Sequence, residues 1–191
     1  MNSVLITYSV KCFFVLLVAL QSVQSLADRA DELANTCVAC HGAKGISNNT
    51  NWPNLAGQKP GYLEAQLRAF RDGTRLDPLM NSTVKGLSDQ DLKSLAQHFS
   101  SLTPKISSAV AKSNQAGMNV RARCVSCHGM QGKTVNDQWP NISGQKMGYL
   151  QKQLKAFRDG SRHSEVMAVI VKDFTDQQIE DVSEYYSQQG H

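Results

Sequence analysis

Residues 36–42 read T-C-V-A-C-H-G (Thr36 to Gly42), and residues 123–129 read R-C-V-S-C-H-G (Arg123 to Gly129). Each stretch sets two thiols three residues apart and places an imidazole directly after the second. Three chemistries use such a set: a redox disulfide, a zinc site, or a covalently held haem. The rest of the sequence discriminates among them.

The two stretches belong to a longer repeat. An offset of 87 residues carries Cys37 to Cys124, Cys40 to Cys127 and His41 to His128, and it continues without a gap. W-P-N at 52–54 falls on 139–141, G-Q-K at 57–59 on 144–146, G-Y-L at 61–63 on 148–150, and A-F-R-D-G at 69–73 on 156–160. About 30 of 66 aligned positions are identical, which at a fixed period marks two tandem copies of one small domain. The pattern lapses after Leu102, where Pro104 and a run of serines read as a linker over 104–112. The domains are then expected at 28–103 and 113–191, with a new helix starting around Ser113.

The N-terminus reads as a leader over 1–27. Lys11 precedes the apolar run Cys12 to Leu20, and small residues at Ser25 and Ala27 suit cleavage after Ala27. The apolar run is about half the length of a membrane span. Cys12 leaves with the leader, so the mature chain keeps four cysteines, all in the two motifs. Export implies the periplasm, where paired cysteines oxidise unless something else claims them. The net charge of +4 is too small for a nucleic-acid footprint. It is uneven, with 8 basic and 8 acidic residues in 28–103 against 11 and 8 in 104–191.

Each half reads as all-α. Tyr62, Gln66, Ala69 and Leu63, Leu67, Phe70 recur at helical spacing before Gly73. Ser88 with Asp91, and Thr175 with Gln178, have the spacing of capping boxes. Leu92, Leu95, Ala96 and Phe99 then form a buried stripe, matched by Ile179, Val182 and Tyr186. Domains of about 75 residues with so few apolar side chains have thin cores, and a large apolar cofactor would fill them.

C-x-x-C-H is the attachment pattern of a c-type haem. Two thiols on one side of a helical turn reach both vinyl groups of one porphyrin, and the next residue, His41 or His128, binds iron from below. A four-cysteine zinc ribbon spaces its pairs about 15–20 residues apart, whereas these pairs lie in separate repeats with three ligands each. A thioredoxin-like disulfide expects a βαβ context that the helical pattern lacks. Haem is therefore preferred, at two per chain, through Cys37, Cys40, Cys124 and Cys127. The repeat also filters the sixth ligand. Of the methionines only Met80 and Met167 align with each other, each 39 residues after its histidine. His98, His163 and His191 have no histidine partner in the other repeat and suit surface or packing roles.

Tandem C-x-x-C-H domains behind a leader, each with G-Q-K-x-G-Y-L-x-x-Q-L-x-A-F-R-D-G-x-R and then Met, resemble the di-haem cytochrome c4 family over essentially the whole mature chain. The resemblance implies two class I cytochrome c folds related by a pseudo-twofold axis, with haem propionate edges facing each other. It implies an electron carrier rather than an enzyme, taking electrons from a membrane quinol-oxidising complex toward a terminal oxidase, with peripheral membrane association in some members. It also suggests Gln58, Tyr62 and Arg75, with Gln145, Tyr149 and Arg162, as groups near the haem and its propionates, and Trp52 and Trp139 as pocket wall or core. With His/Met ligation both axial positions are filled, so outer-sphere transfer follows and a soft thioether favours the reduced iron. Two other readings stand beside it: a di-haem redox enzyme, which needs an open axial position, and a haem subunit of a larger dehydrogenase such as a sulfide flavocytochrome.

Overall fold

The computed structural model describes residues 29–104 and 114–190. The expected leader over 1–27, nearly all of the linker over 104–112, Ser113 and His191 lie outside the described residues. Among the described residues the chain is helical with no strand. The first half holds α1 over 29–41, α2 (Pro60–Arg71), α3 (Pro78–Val84) and α4 (Asp89–Ser101). The second holds α5 (Gln115–Val120), a 3₁₀ turn (Arg121–Arg123), α6 (Val125–His128), α7 (Met147–Asp159), α8 (Glu165–Val171) and α9 (Asp176–Ser187). The starts of α7, α8 and α9 lie 87 residues after those of α2, α3 and α4. The second copy opens later than Ser113, because Asn114 accepts from Gly117 N and caps a helix that begins at Gln115. Its counterpart of α1 is also broken by the 3₁₀ turn, where Cys124 N bonds Arg121 O at 2.7 Å.

Local sequence sets the ends. Pro60 and Pro78 occupy first-turn positions, where a missing N–H costs nothing. Ser88 with Asp91 and Thr175 with Gln178 form the two expected capping boxes. Asp77 and Ser164 cap α3 and α8 by accepting from Met80 N and Met167 N. After α7, Gly160 takes φ 80°, a left-handed stop that L side chains rarely adopt.

The apolar stripes bury as the pattern requires. Leu63, Leu95, Ala96, Phe99 and Ala34 form one core, where α2 packs on α4. In the second domain Leu150, Val182 and Tyr186 form one cluster, and Phe157, Val171, Phe174 and Ile179 another. Leu92 and Ile179 are fully buried, each contributing about 1.5–3 kcal/mol of transfer free energy. At the α5–α9 crossing a Cβ on Gly117 would stand 2.3 Å from Asp181 O, so the backbones touch there.

The two domains pack face to face with reciprocal contacts. Gln58 Nε2 donates to Asn141 O (2.8 Å) and Gln58 Oε1 accepts from Asn141 N (2.7 Å). The mates are Gln145 Nε2 to Asn54 O (2.9 Å) and Asn54 N to Gln145 Oε1 (2.7 Å). Tyr62 N donates to Asp137 O and Tyr149 N to Thr50 O, both at 2.9 Å. Each of these six bonds has a partner with the 87-residue offset reversed, as an isologous interface demands. Both glutamines are 6% exposed, so these polar groups are buried and satisfied. The glycines of G-Y-L sit at this seam: a Cβ on Gly61 would meet Asp137 Oδ2 at 2.1 Å, and one on Gly148 would meet Asn51 Oδ1 at 2.5 Å.

Because Thr50 O of the backbone stands 3.0 Å from a Cβ at Gly148, replacing Gly61 and Gly148 together by Val should weaken docking by about 1–3 kcal/mol through overpacking, most of it from Gly148. Calorimetry should show one thermal transition in the parent and two in the variant. A second prediction concerns acid. Arg29 Nε (2.6 Å) and the capping contacts with Ser88 hold the Asp91 carboxyl well below its ordinary 3.8. A carboxylate depressed in the folded state stabilises above its ordinary value, and that stability is lost as pH falls through it. Asp91→Asn should lower the melting temperature at pH 7, at a cost of about 1–2 kcal/mol. Below pH 4 the gap between variant and parent should narrow.

Candidate cofactor sites

His41 closes α1 and His128 closes α6, each followed by a glycine at φ 80°. That glycine is obligatory: a Cβ at Gly42 or Gly129 would lie 2.1 Å from Ile46 O or Lys133 O. The turn it makes returns the chain beneath the imidazole. There the Nδ1–H of His41 donates to Pro53 O, and that of His128 to Pro140 O, both at 2.9 Å. A carbonyl can only accept, so the proton is on Nδ1 and Nε2 keeps its lone pair. Both rings are buried, 7% and 8% exposed, and burial pushes both below the ordinary histidine value despite that bond. Each motif thus presents a neutral imidazole, oriented by the proline carbonyl bonded to its Nδ1–H and ready to bind a metal. The W-P-N run has a further use: Asn54 Oδ1 accepts from Ser47 N and Asn141 Oδ1 from Thr134 N, both at 3.0 Å, bracing the loop.

The four cysteines are half-buried and form no disulfide with one another. Burial raises Cys37 and takes Cys124 up to about 11. Among the described residues no group of three or more His, Cys, Asp or Glu gathers as a metal site. Met80 and Met167 occupy the same third position of α3 and α8, half-buried, with Met167 against the Phe157 and Phe174 cluster. Among the described residues neither thioether sulfur accepts a hydrogen bond. Each domain therefore offers two unbridged thiols, an imidazole with a free Nε2 and an uncommitted thioether, and that donor set fits a haem c.

The remaining sequence candidates assemble between the domains. Arg75 donates to Gln66 Oε1 (2.6 Å), Gln153 Oε1 (2.8 Å) and Tyr149 OH (3.1 Å). Arg162 donates to Gln153 Oε1 (2.6 Å), Gln66 Oε1 (2.7 Å) and Tyr62 OH (3.1 Å). Each guanidinium also lies 4.4 Å from the ring centre of its own Phe70 or Phe157. Among the described residues neither forms a salt bridge; both guanidiniums hydrogen-bond to neutral groups, and Asp77 adds a charge interaction to Arg75. Burial pulls the Tyr149 phenol upward, but Arg75 and Arg162 outweigh it and hold the group below its ordinary value. Such a centre is receptive to carboxylates.

Gln58 and Gln145 stand apart from this cluster, in the Asn54 and Asn141 pairs described above. Gln66, Gln153, Asn54 and Asn141 complete these networks and were not singled out as site residues, although all four are identical between the repeats. Trp52 and Trp139 are 36% and 40% exposed and lie outside the packed cores. His98 bonds Asp31 at 2.8 Å and His163 is exposed.

The family model for cytochrome c matches residues 27–103 and again 115–189. A thiosulfate dehydrogenase electron acceptor of Stutzerimonas stutzeri is 31% identical over 177 residues, covering 84% of this chain and 82% of that one. Cytochrome c4 of Pseudomonas aeruginosa is 33% identical over 168 residues, covering 80% and 83%. The crystal structure of reduced recombinant cytochrome c4 from Pseudomonas stutzeri superposes with a TM-score of 0.79 at 29% identity, covering 85% of this chain and 98% of that one. With its two matching domains, reciprocal interface and duplicated donor set, this chain belongs to the di-haem cytochrome c4 family of electron-transfer proteins and carries two covalently attached haem c groups.

Proposed function

We propose that the chain is a two-centre electron relay in which His41 with Met80, and His128 with Met167, fill the axial positions of the two irons. The observation that carries this reading is the duplicated donor set, repeated at one fixed offset and joined through one buried interface. A haem c supplies the one-electron chemistry when bound, and the polypeptide supplies everything else. Pro53 and Pro140 fix the tautomer and ring orientation of the proximal imidazoles. The N-caps Asp77 and Ser164 hold the first turns of α3 and α8, so each methionine is set by a short rigid helix. With haem bound, a methionine thioether and a histidine imidazole as its two protein ligands would favour the reduced metal and leave no site for substrate, which supports carrier over enzyme.

Arg75 and Arg162, with Tyr62, Tyr149, Gln66 and Gln153, receive the carboxylate edges of both cofactors. Their charge, which no salt bridge neutralises, and their central place between the domains support that role. Gln58 and Gln145 act one step further out by locking the two domains in register. In this reading the exported protein works in the periplasm and passes electrons from a quinol-oxidising membrane complex to a terminal oxidase. A second reading of the donor is favoured by the Stutzerimonas stutzeri relative, which is an electron acceptor for thiosulfate dehydrogenase. No helix among the described residues is long and apolar enough to cross a membrane.

Met80→Ala and Met167→Ala should each remove part of the weak red absorption of the ferric protein and lower one of two midpoint potentials. Unchanged spectra in both variants would refute the methionine ligands. The two donors separate in a stopped-flow experiment. Thiosulfate dehydrogenase with thiosulfate should reduce both haems within its turnover time if the second reading holds. Reduction only by the quinol-oxidising complex would leave the first.

A further inference from the structure

The R-D-G run that ends the long helix of each repeat lies outside both donor sets. Its arginine closes α2 as Arg71 and sits in the last turn of α7 as Arg158. Arg71 Nη1 donates to Leu87 O (3.3 Å) and to Asp89 Oδ1 (2.7 Å). Arg158 Nη1 donates to Phe174 O (2.7 Å), and its Nη2 to Asp176 Oδ1 (2.6 Å). The acceptors repeat as the donors do, because Leu87 falls on Phe174 and Asp89 on Asp176 at the same offset. In both domains the carbonyl bond is half-buried, whereas the carboxylate bond faces solvent.

Those two carbonyls belong to the turns that follow the methionine helices. Leu87 N donates to Val84 O (3.1 Å) and Phe174 N to Val171 O (3.0 Å). Val84 and Val171 are the buried last residues of α3 and α8. Met80 and Met167 stand four residues before them, one turn back on the same face. A run of hydrogen bonds thus joins each arginine to the helix that carries a methionine. The caps from Asp77 and Ser164 cannot do this, because they bond amides of their own helix. Helices of seven residues are too short to hold their place unaided. The turns are the fixed points, and Leu87 and Phe174 also pack their side chains into the two cores.

We propose that Arg71 and Arg158 are positioning residues for the axial methionines, pinning the turn after each methionine helix so that the thioether stays on its iron. This rests on the methionine ligation of the relay. A guanidinium suits the task because its rigid fork reaches a carbonyl and a carboxylate at once, whereas an ammonium is a single point charge. The carboxylate orients the fork, and the carbonyl bond restrains the turn. Neither arginine is itself a ligand. Loss of either lowers the cost of swinging its helix aside and opens one axial position to other ligands.

The test is displacement of the thioether from the ferric holoprotein by free imidazole, whose nitrogen lone pair replaces the sulfur at iron without change of oxidation state. Stopped flow follows the loss of the red ferric band. Arg71→Gln and Arg158→Gln should each speed one phase of displacement about tenfold, the effect of one lost charge-assisted hydrogen bond. Arg71→Lys and Arg158→Lys, which keep the charge but lose the fork, should fall between the parent and the glutamine variants. Asp89→Asn and Asp176→Asn keep the carbonyl bond and remove only an exposed ion pair, so they should change the rate by no more than about twofold. Val182→Ala thins the other core cluster of the second domain, away from Met167, and should leave the rate at the parental value. The proposal is overturned if the arginine variants exchange at the parental rate, or if the aspartate variants or Val182→Ala exchange as fast as they do. A parent protein with no red band, before any imidazole is added, would instead overturn the methionine ligation itself.

Discussion

The Nδ1–H of His41 bonded to the carbonyl of Pro53, and the same bond from His128 to Pro140, decide what each domain is able to hold. A buried imidazole has two nitrogens and one proton, and a carbonyl oxygen takes the proton-bearing one. That leaves Nε2 as a ligand at a fixed angle to the two thiols beside it. The constraint propagates outward. The glycine after each histidine must be left-handed so that the chain turns back, the turn must bring W-P-N beneath the ring, and the asparagine of W-P-N must brace the loop. Three motifs that look independent along the chain therefore serve one orientation.

The asparagine has a second duty that ties each site to its twin. Asn54 and Asn141 bond loop amides within their own domains and Gln145 and Gln58 across the seam. A disturbance of the loop under one imidazole is thus felt at the other domain. Between the domains two guanidiniums share glutamine carbonyls and tyrosine hydroxyls instead of carboxylates. Bringing two such cations together is unfavourable without anions nearby, which supports the proposal that the anionic edges of the cofactors lie here. The interface is then held partly by the groups it has to position.

Much of this was legible in the sequence, and the reason is the repeat. A motif present twice at one offset is its own control, so the haem cysteines, both histidines and both methionines emerged by alignment of the chain with itself. Capping boxes and apolar stripes were readable because they are local. The interface was less so: Arg75 meets Tyr149 across 74 residues and Arg162 meets Tyr62 across 100. Spacing carries no information about such partners, and an arginine on a helix reads as solvated until its neighbour is known. Gln66 and Gln153 were hidden for the same reason, since their identity between repeats fits a helix surface equally well.

Family membership, the duplicated donor set and the reciprocal interface all converge on a carrier with two haem centres. Ligation is the point on which the rest turns, because an open axial position would admit enzyme chemistry. The most direct measurement is the proton NMR spectrum of the fully reduced protein, in which a methionine methyl held over a porphyrin face is shifted far upfield. Two such methyl signals of equal intensity are predicted, one from Met80 and one from Met167. A spectrum with one signal or none would contradict the account.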